Sequence, residues 1–172
     1  MKKIKLTESD LYRIIKQVLL EQEEEKRTVT FSPGTFKNFI TSSSGEGFVR
    51  TLNNKFDEII VNGDLDLSET SIESLPDNLY VGEDLNLIRT PIQSLPNNLY
   101  VGGELNLLGC KNLQSLGDNL YVGGSLDLRG TQIQSLPDNL DVKGTIYIAI
   151  TPLNKNHKLV KKYNKKYAIY RT

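Results

Sequence analysis

The sequence predicts an α+β solenoid in which stacked coils build a parallel β-sheet. Three observations carry that prediction. One phrase recurs five times: V-N-G-D-L-D-L at Val61, V-G-E-D-L-N-L at Val81, V-G-G-E-L-N-L at Val101, V-G-G-S-L-D-L at Val122 and V-K-G-T-I-Y-I at Val142. Its valines are spaced by 20, 20, 21 and 20 residues, and a fixed period of this size marks a repeat architecture. Within a unit, apolar residues two apart, such as Leu85 and Leu87, face the same side of a strand. A following Pro with Asp-Asn or Asn-Asn turns the chain, because Pro fixes φ and Asn tolerates unusual backbone angles. One such coil cannot bury its apolar side alone, whereas stacked coils share a continuous core.

Residues 1–26 predict an amphipathic helix. Thr7 can cap its start, Glu8 and Asp10 suit the positive end of the helix dipole, and Leu11, Ile14, Ile15, Val18 and Leu19 form a stripe at spacings of three and four. So short a helix is marginal alone in water, so the stripe calls for a partner: its own domain, a second copy or another assembly. Residues 27–46, with S-P-G and S-S-S-G-E-G, predict a linker, with T-V-T-F as a short strand. Residues 47–60 return to helical spacing through Phe48, Val49, Leu52 and Phe56 and predict an N-terminal cap shielding the first coil. Residues 61–153 are the five-coil solenoid. Residues 154–172 predict a basic C-terminal cap: a helix over 155–166 with Leu159, Val160, Tyr163 and Tyr167 on one side, then a Y-A-I-Y strand.

The unit L-x-L-x-x-T-x-I-x-S-L-P resembles the leucine-rich repeat, and its short period is similar to the 20-residue repeats of bacterial effectors. The resemblance implies that the L-x-L strands line a concave face. It also implies that Thr70, Thr90, Cys110, Thr131 and Thr151, standing where the family usually has Asn, point inward and bond the backbone of neighbouring coils. The effectors' ligase activity belongs to a separate domain with no counterpart in this chain. The leader M-K-K-I-K-L-T-E-S-D-L-Y-R-I-I-K-Q-V-L-L-E resembles capsid-targeting segments of phage-encoded proteins. That likeness implies a virion protein with a processing site at Leu19, Leu20 and Glu21, cut after Glu21.

The 172 residues carry 21 basic and 21 acidic side chains, so bulk charge selects no partner. The distribution is uneven: residues 61–141 hold 12 acidic and 3 basic residues, while residues 155–172 hold 7 basic and none acidic. A single cysteine excludes an intrachain disulfide. No apolar run of about 18 residues offers a membrane span, and no secretory signal is evident, so the expected location is the cytoplasm of a bacterial host, or a virion.

Catalytic residues are not expected. His157 stands alone in a turn, Cys110 occupies a core column with no base beside it, and no Cys/His metal motif or cofactor signature is present. Clustered Asp64, Asp66 and Asp84 offer oxygen ligands but lack the glycine-aspartate loop of calcium repeats. Repeating Ser74, Ser94, Ser115 and Ser135 are expected to tie down turn backbone, and the Tyr80, Tyr100, Tyr121 column to be architectural. The expected function is a non-enzymatic protein-interaction module. Its partner-binding face comprises Asp64 and Asp66; Asp84, Asn86 and Ile88; Glu104, Asn106 and Leu108; Asp127 and Arg129; and Tyr147. Stacking makes Ile88 and Leu108 neighbours beside an acidic field, which suits a basic, partly apolar protein surface. Alternatives are a packaged virion protein directed by its leader, self-association through that helix, and nucleic-acid binding by the tail's lysines and tyrosines. The acidic solenoid weighs against the last by repelling phosphate.

Overall fold

The computed structural model describes residues 27–42 and 45–172, so the leader and its Leu19, Leu20 and Glu21 lie outside the described residues. The chain enters through β1 (Thr28–Phe31), α1 (Pro33–Ile40), α2 (Gly45–Lys55) and β2 (Glu58–Val61). Each repeat then contributes two short strands: β3 (Leu65–Asp66), β4 (Leu79–Val81), β5 (Leu85–Asn86), β6 (Tyr100–Val101), β7 (Leu105–Asn106), β8 (Tyr121–Val122), β9 (Leu126–Asp127), β10 (Asp141–Val142) and β11 (Thr145–Tyr147). The tail adds α3 (Pro152–Lys155), α4 (His157–Tyr163) and β12 (Ala168–Tyr170).

These strands form a parallel-sheet solenoid of about six turns. It carries two sheets rather than the single one expected. The first runs β1-β2-β4-β6-β8-β10 and the second β12-β11-β9-β7-β5-β3, six strands each. The chain supplies an added strand at opposite ends: β1 extends the first sheet before β2, and β12 extends the second beyond β11. The second sheet is the L-x-L sheet; the first is built on the residue pair ending in Val that precedes each corner, Tyr-Val in β4, β6 and β8, Ile60-Val61 in β2 and Asp141-Val142 in β10. The corner between them is glycine-rich because coils nearly touch there. Gly102 N–H donates to Val81 O and Gly123 N–H to Val101 O, both at 2.9 Å, and a Cβ on either glycine would overlap a carbonyl oxygen of the coil before.

The core follows from period. Leu65, Leu85, Leu105 and Leu126 point inward from the second sheet, Val61, Val81, Val101 and Val122 from the first, and Ile72, Ile92, Leu113 and Ile133 close the third side. All are buried. Each such side chain is worth about 1.5–3 kcal/mol against exposure, so a column of them sets the stacking register.

Turns between sides demand left-handed residues. Asn78, Asn98 and Asn119 follow Pro-Asp, Pro-Asn and Gly-Asp with φ of 56°, 55° and 56°. Their amides also form a ladder: Asn98 Nδ2 donates to Asn78 Oδ1 at 2.7 Å, Asn119 to Asn98 at 2.8 Å and Asn139 to Asn119 at 3.0 Å. The inward threonines are tied differently from the expectation. Thr70, Thr90, Thr131 and Thr151 donate to carbonyls of their own coil, at Leu67, Leu87, Leu128 and Ile148. Cys110 alone among the five bonds backbone of the neighbouring coil, its thiol donating to Leu87 O at 2.9 Å, and its sulfur also lies 3.5 Å from Thr90 Oγ1 of that coil.

Residues 27–46, expected as a linker, are largely folded onto the solenoid. Ser32 caps α1 by accepting from Thr35 N–H at 3.3 Å, Pro33 opens the helix, and Phe36 and Ile40 are buried in the common core. The T-V-T-F strand is β1, in register with Glu58–Val61. Helix α2 starts within the segment assigned to the linker and buries Val49 and Leu52. At the other end, α4 buries Val160 and Tyr163. Its tyrosine hydroxyl accepts from Leu136 N–H at 3.1 Å and donates to Leu136 O at 3.0 Å, while the Tyr167 hydroxyl donates to Leu140 O at 2.7 Å. Among the described residues no helix is long and apolar enough to cross a membrane.

Candidate protein-binding surface

The second sheet turns outward the residues between its buried leucines. Hydrogen bonding aligns Leu65 with Leu85, Leu105 and Leu126, so the variable positions form rows across the coils. Asp64, Asp66, Asp84 and Glu104 are exposed, and none of the four forms an ion pair among the described residues. They are not idle. Asp64 Oδ1 accepts from Asp84 N–H at 3.0 Å and Asp84 Oδ1 from Glu104 N–H at 2.7 Å, so each carboxylate braces the next coil. Asp66 accepts from the hydroxyl and N–H of Ser68 at 2.6 and 2.9 Å, bonds that hold its carboxyl below the usual aspartate range.

The next row repeats one device. Asn86, Asn106 and Asp127 each accept from the N–H two residues on, those of Ile88, Leu108 and Arg129, at 3.1, 3.1 and 3.0 Å. These local loops close the turn leaving the strand. Ile88 and Leu108 are thereby held side by side, half-buried, with Arg89 N–H donating to Leu108 O at 3.0 Å across the coils.

Beyond the apolar pair the face changes character. Asp127, expected to point freely outward, is buried at 8 % exposure. Arg129 covers it: Nη2 bonds Oδ2 at 2.6 Å and Nε bonds Oδ1 at 3.0 Å, pushing the guanidinium pKa further up. The same guanidinium lies 5.4 Å over the Tyr147 ring, which meets Tyr170 edge-on at 5.5 Å. Glu104, Asn106, Ser125, Asp127, Arg129 and Tyr147 line a recess here. From sequence Asp127 and Arg129 read only as outward residues of one coil; their pairing was not foreseen, nor was the arrival of Tyr170 on β12, which is remote in sequence.

The other singled-out groups resolve simply. Cys110 is buried, and burial pushes its thiol pKa up. His157 is exposed with Nδ1 3.2 Å from Arg171 Nη2. The four repeat serines are exposed, and Ser94 and Ser115 pair through backbone rather than hydroxyls. Tyr80, Tyr100 and Tyr121 stack face to face, at 4.4 and 4.5 Å, on the first sheet. Among the described residues no group of three or more His, Cys, Asp or Glu is placed to hold a metal ion. In the tail, Tyr163 and Tyr167 are buried against the solenoid, Lys162 pairs with Asp138 at 3.2 Å, and Lys166 donates to Leu140 O at 2.9 Å. Those aromatics are therefore withdrawn from stacking on bases.

Comparison with known proteins found no matching family model, no matching curated protein and no matching solved structure.

Proposed function

We propose that the chain is a non-enzymatic protein-interaction module of the leucine-rich-repeat type, binding its partner through the outer face of the second sheet. The helices at both ends act as caps for the stack. The observation that carries the reading is the Ile88–Leu108 pair, set between four unpaired carboxylates and the Arg129–Tyr147 cluster. A paired carboxylate row would need nothing further; an unpaired one beside apolar surface favours a partner with cationic and apolar groups. The face is also pre-organised. Asp64, Asp66, Asp84, Asn86, Asn106 and Asp127 are pinned by bonds to backbone, so these side chains have little rotamer freedom left to lose on binding.

The test is affinity capture from bacterial lysate treated with nuclease, comparing wild type with an Ile88→Asp, Leu108→Asp double variant whose fold is checked by circular dichroism. A protein retained by wild type and lost by the folded variant supports the module. Equal capture by both removes this face.

A second reading rests on one observation. Every described element, from β1 onward, lies after Glu21, so a cut there would remove none of them. A packaged virion protein, delivered by its leader and then trimmed, fits that arrangement. Particles containing a chain that starts at Gln22 support it; particles lacking the chain remove it.

A further inference from the structure

Charge on the second sheet is divided across the strands. Asp64, Asp84 and Glu104, each just ahead of a buried leucine, form one column, and all three are exposed. Arg89, Lys111 and Arg129 are the only basic residues between Val61 and Asp141. All three fall at the opposite edge, at or just after the place of Ile88 and Leu108 in its coil. Between the edges stand the neutral Asn86 and Asn106. The third coil is one residue longer than the others, through G-C-K-N-L. Arg89, Thr90, Pro91, Gly109, Lys111 and Asn112 line a recess there. A Cβ at Gly109 would press on Arg89 Cγ at 3.3 Å, so glycine keeps that side chain in place.

The three cations are not equally open. Arg129 is held by Asp127, and Arg89 shares an exposed pair with Glu69 at 2.9 Å, a kind of contact that exchanges readily. Lys111 is exposed and forms no ion pair among the described residues.

On the proposed function, which this step takes as its premise, we infer that the partner presents an α-helix lying along the stack. Its cationic flank covers Asp64, Asp84 and Glu104, and its other flank sets a carboxylate over Lys111 and Arg89. Three features select a helix. The first is width. Asp84 to Ile88 is four extended rises, about 13 Å, and a helix with its side chains is about 10–12 Å across. The second is spacing. Coils repeat at about 4.8 Å and helical turns at about 5.4 Å, so apolar residues four apart meet Ile88 and Leu108 in turn. Asp64 to Arg129 spans three coil spacings, about 14 Å, which about ten helical residues cover. The third is backbone. The strands of this sheet are already paired, so an extended segment laid on their face would leave its own N–H and C=O groups unpaired, whereas a helix satisfies them internally. Charge then sets the helix's rotation about its axis, because a helix basic on both flanks would place a cation on Lys111.

The test uses the full chain and two peptides of about 18 residues, stapled as helices on the side turned from the sheet and sharing one leucine stripe. One carries lysines on one flank and glutamates on the other; the second carries lysines on both. Binding is read by fluorescence anisotropy near physiological salt. Lys111→Glu, a change at an exposed position, is expected to weaken the split-flank peptide about threefold to tenfold and to tighten the all-lysine one. A change in the overall field alone would leave the split-flank peptide, which has no net charge, where it was. Equal shifts of both peptides, no shift of the split-flank peptide, or no binding of either would overturn the helix inference. The lysate capture judges the face separately: a partner lost with Ile88→Asp, Leu108→Asp keeps the proposed function even where the helix fails.

Discussion

Ile150 has φ of 58° and is 85 % exposed. In the other coils the same left-handed place in the turn holds Glu69, Arg89, Gly109 and Gly130. A β-branched residue there crowds its own carbonyl and costs about 1–2 kcal/mol, with no buried contact to offset it. Ile150→Gly is therefore expected to raise the unfolding free energy by about 1 kcal/mol, read from the urea midpoint at constant slope. A fall in stability would mean that the isoleucine side chain makes contacts worth more than its strain. The same scale explains the Asp and Asn columns. A short side chain that can close a loop on the backbone two residues on, or brace the next coil, serves every repeat, so Asp66, Asn86, Asn106 and Asp127 recur for architecture before any recognition.

Helix α1 shows what elements add. Phe36 is wholly buried among core residues and meets Phe31 edge-on at 5.7 Å. Phe36→Ala is expected to cost about 3–5 kcal/mol by thermal or urea unfolding, the range for a buried aromatic. A cost near zero would return residues 27–42 to the status of a linker. S-P-G suggests a break, yet Ser before Pro is also an N-cap followed by a first helical turn, which is what forms here. The repeat itself was legible because its period varies by a single residue and its L-x-L pair gives way only to I-Y-I in the last coil. The second sheet was not, because Tyr-Val is too short a run to show alternation and its pairing is made wholly between coils. In the candidate site, the Ile88–Leu108 pair and the outward acidic rows followed from period alone. The burial of Asp127 and the arrival of Tyr170 depended on a salt bridge and a terminal strand that periodicity does not encode.

The whole molecule is a sum of neighbour terms. Backbone ladders, the Asn amides, the stacked tyrosines and the leucine columns each join one coil only to the next, as expected of a solenoid. The flanking segments supply β1 and β12 as end strands and bury Phe36, Ile40, Val160 and Tyr163. Charge divides on the same scale. The acidic repeats face a basic tail, and part of that tail is spent on docking through Lys162 and Lys166. On the proposed function, the remaining acidic field around Ile88 and Leu108 is the surface offered to a partner. The most direct measurement is a deuterium-exchange footprint of the chain bound to whatever protein it captures. Slowed exchange at residues 84–89 and 104–109, with the Asn78–Asn139 corner unchanged, is the predicted result. Protection confined to the first sheet or to the tail, with residues 84–109 exchanging as in the free chain, would contradict the account.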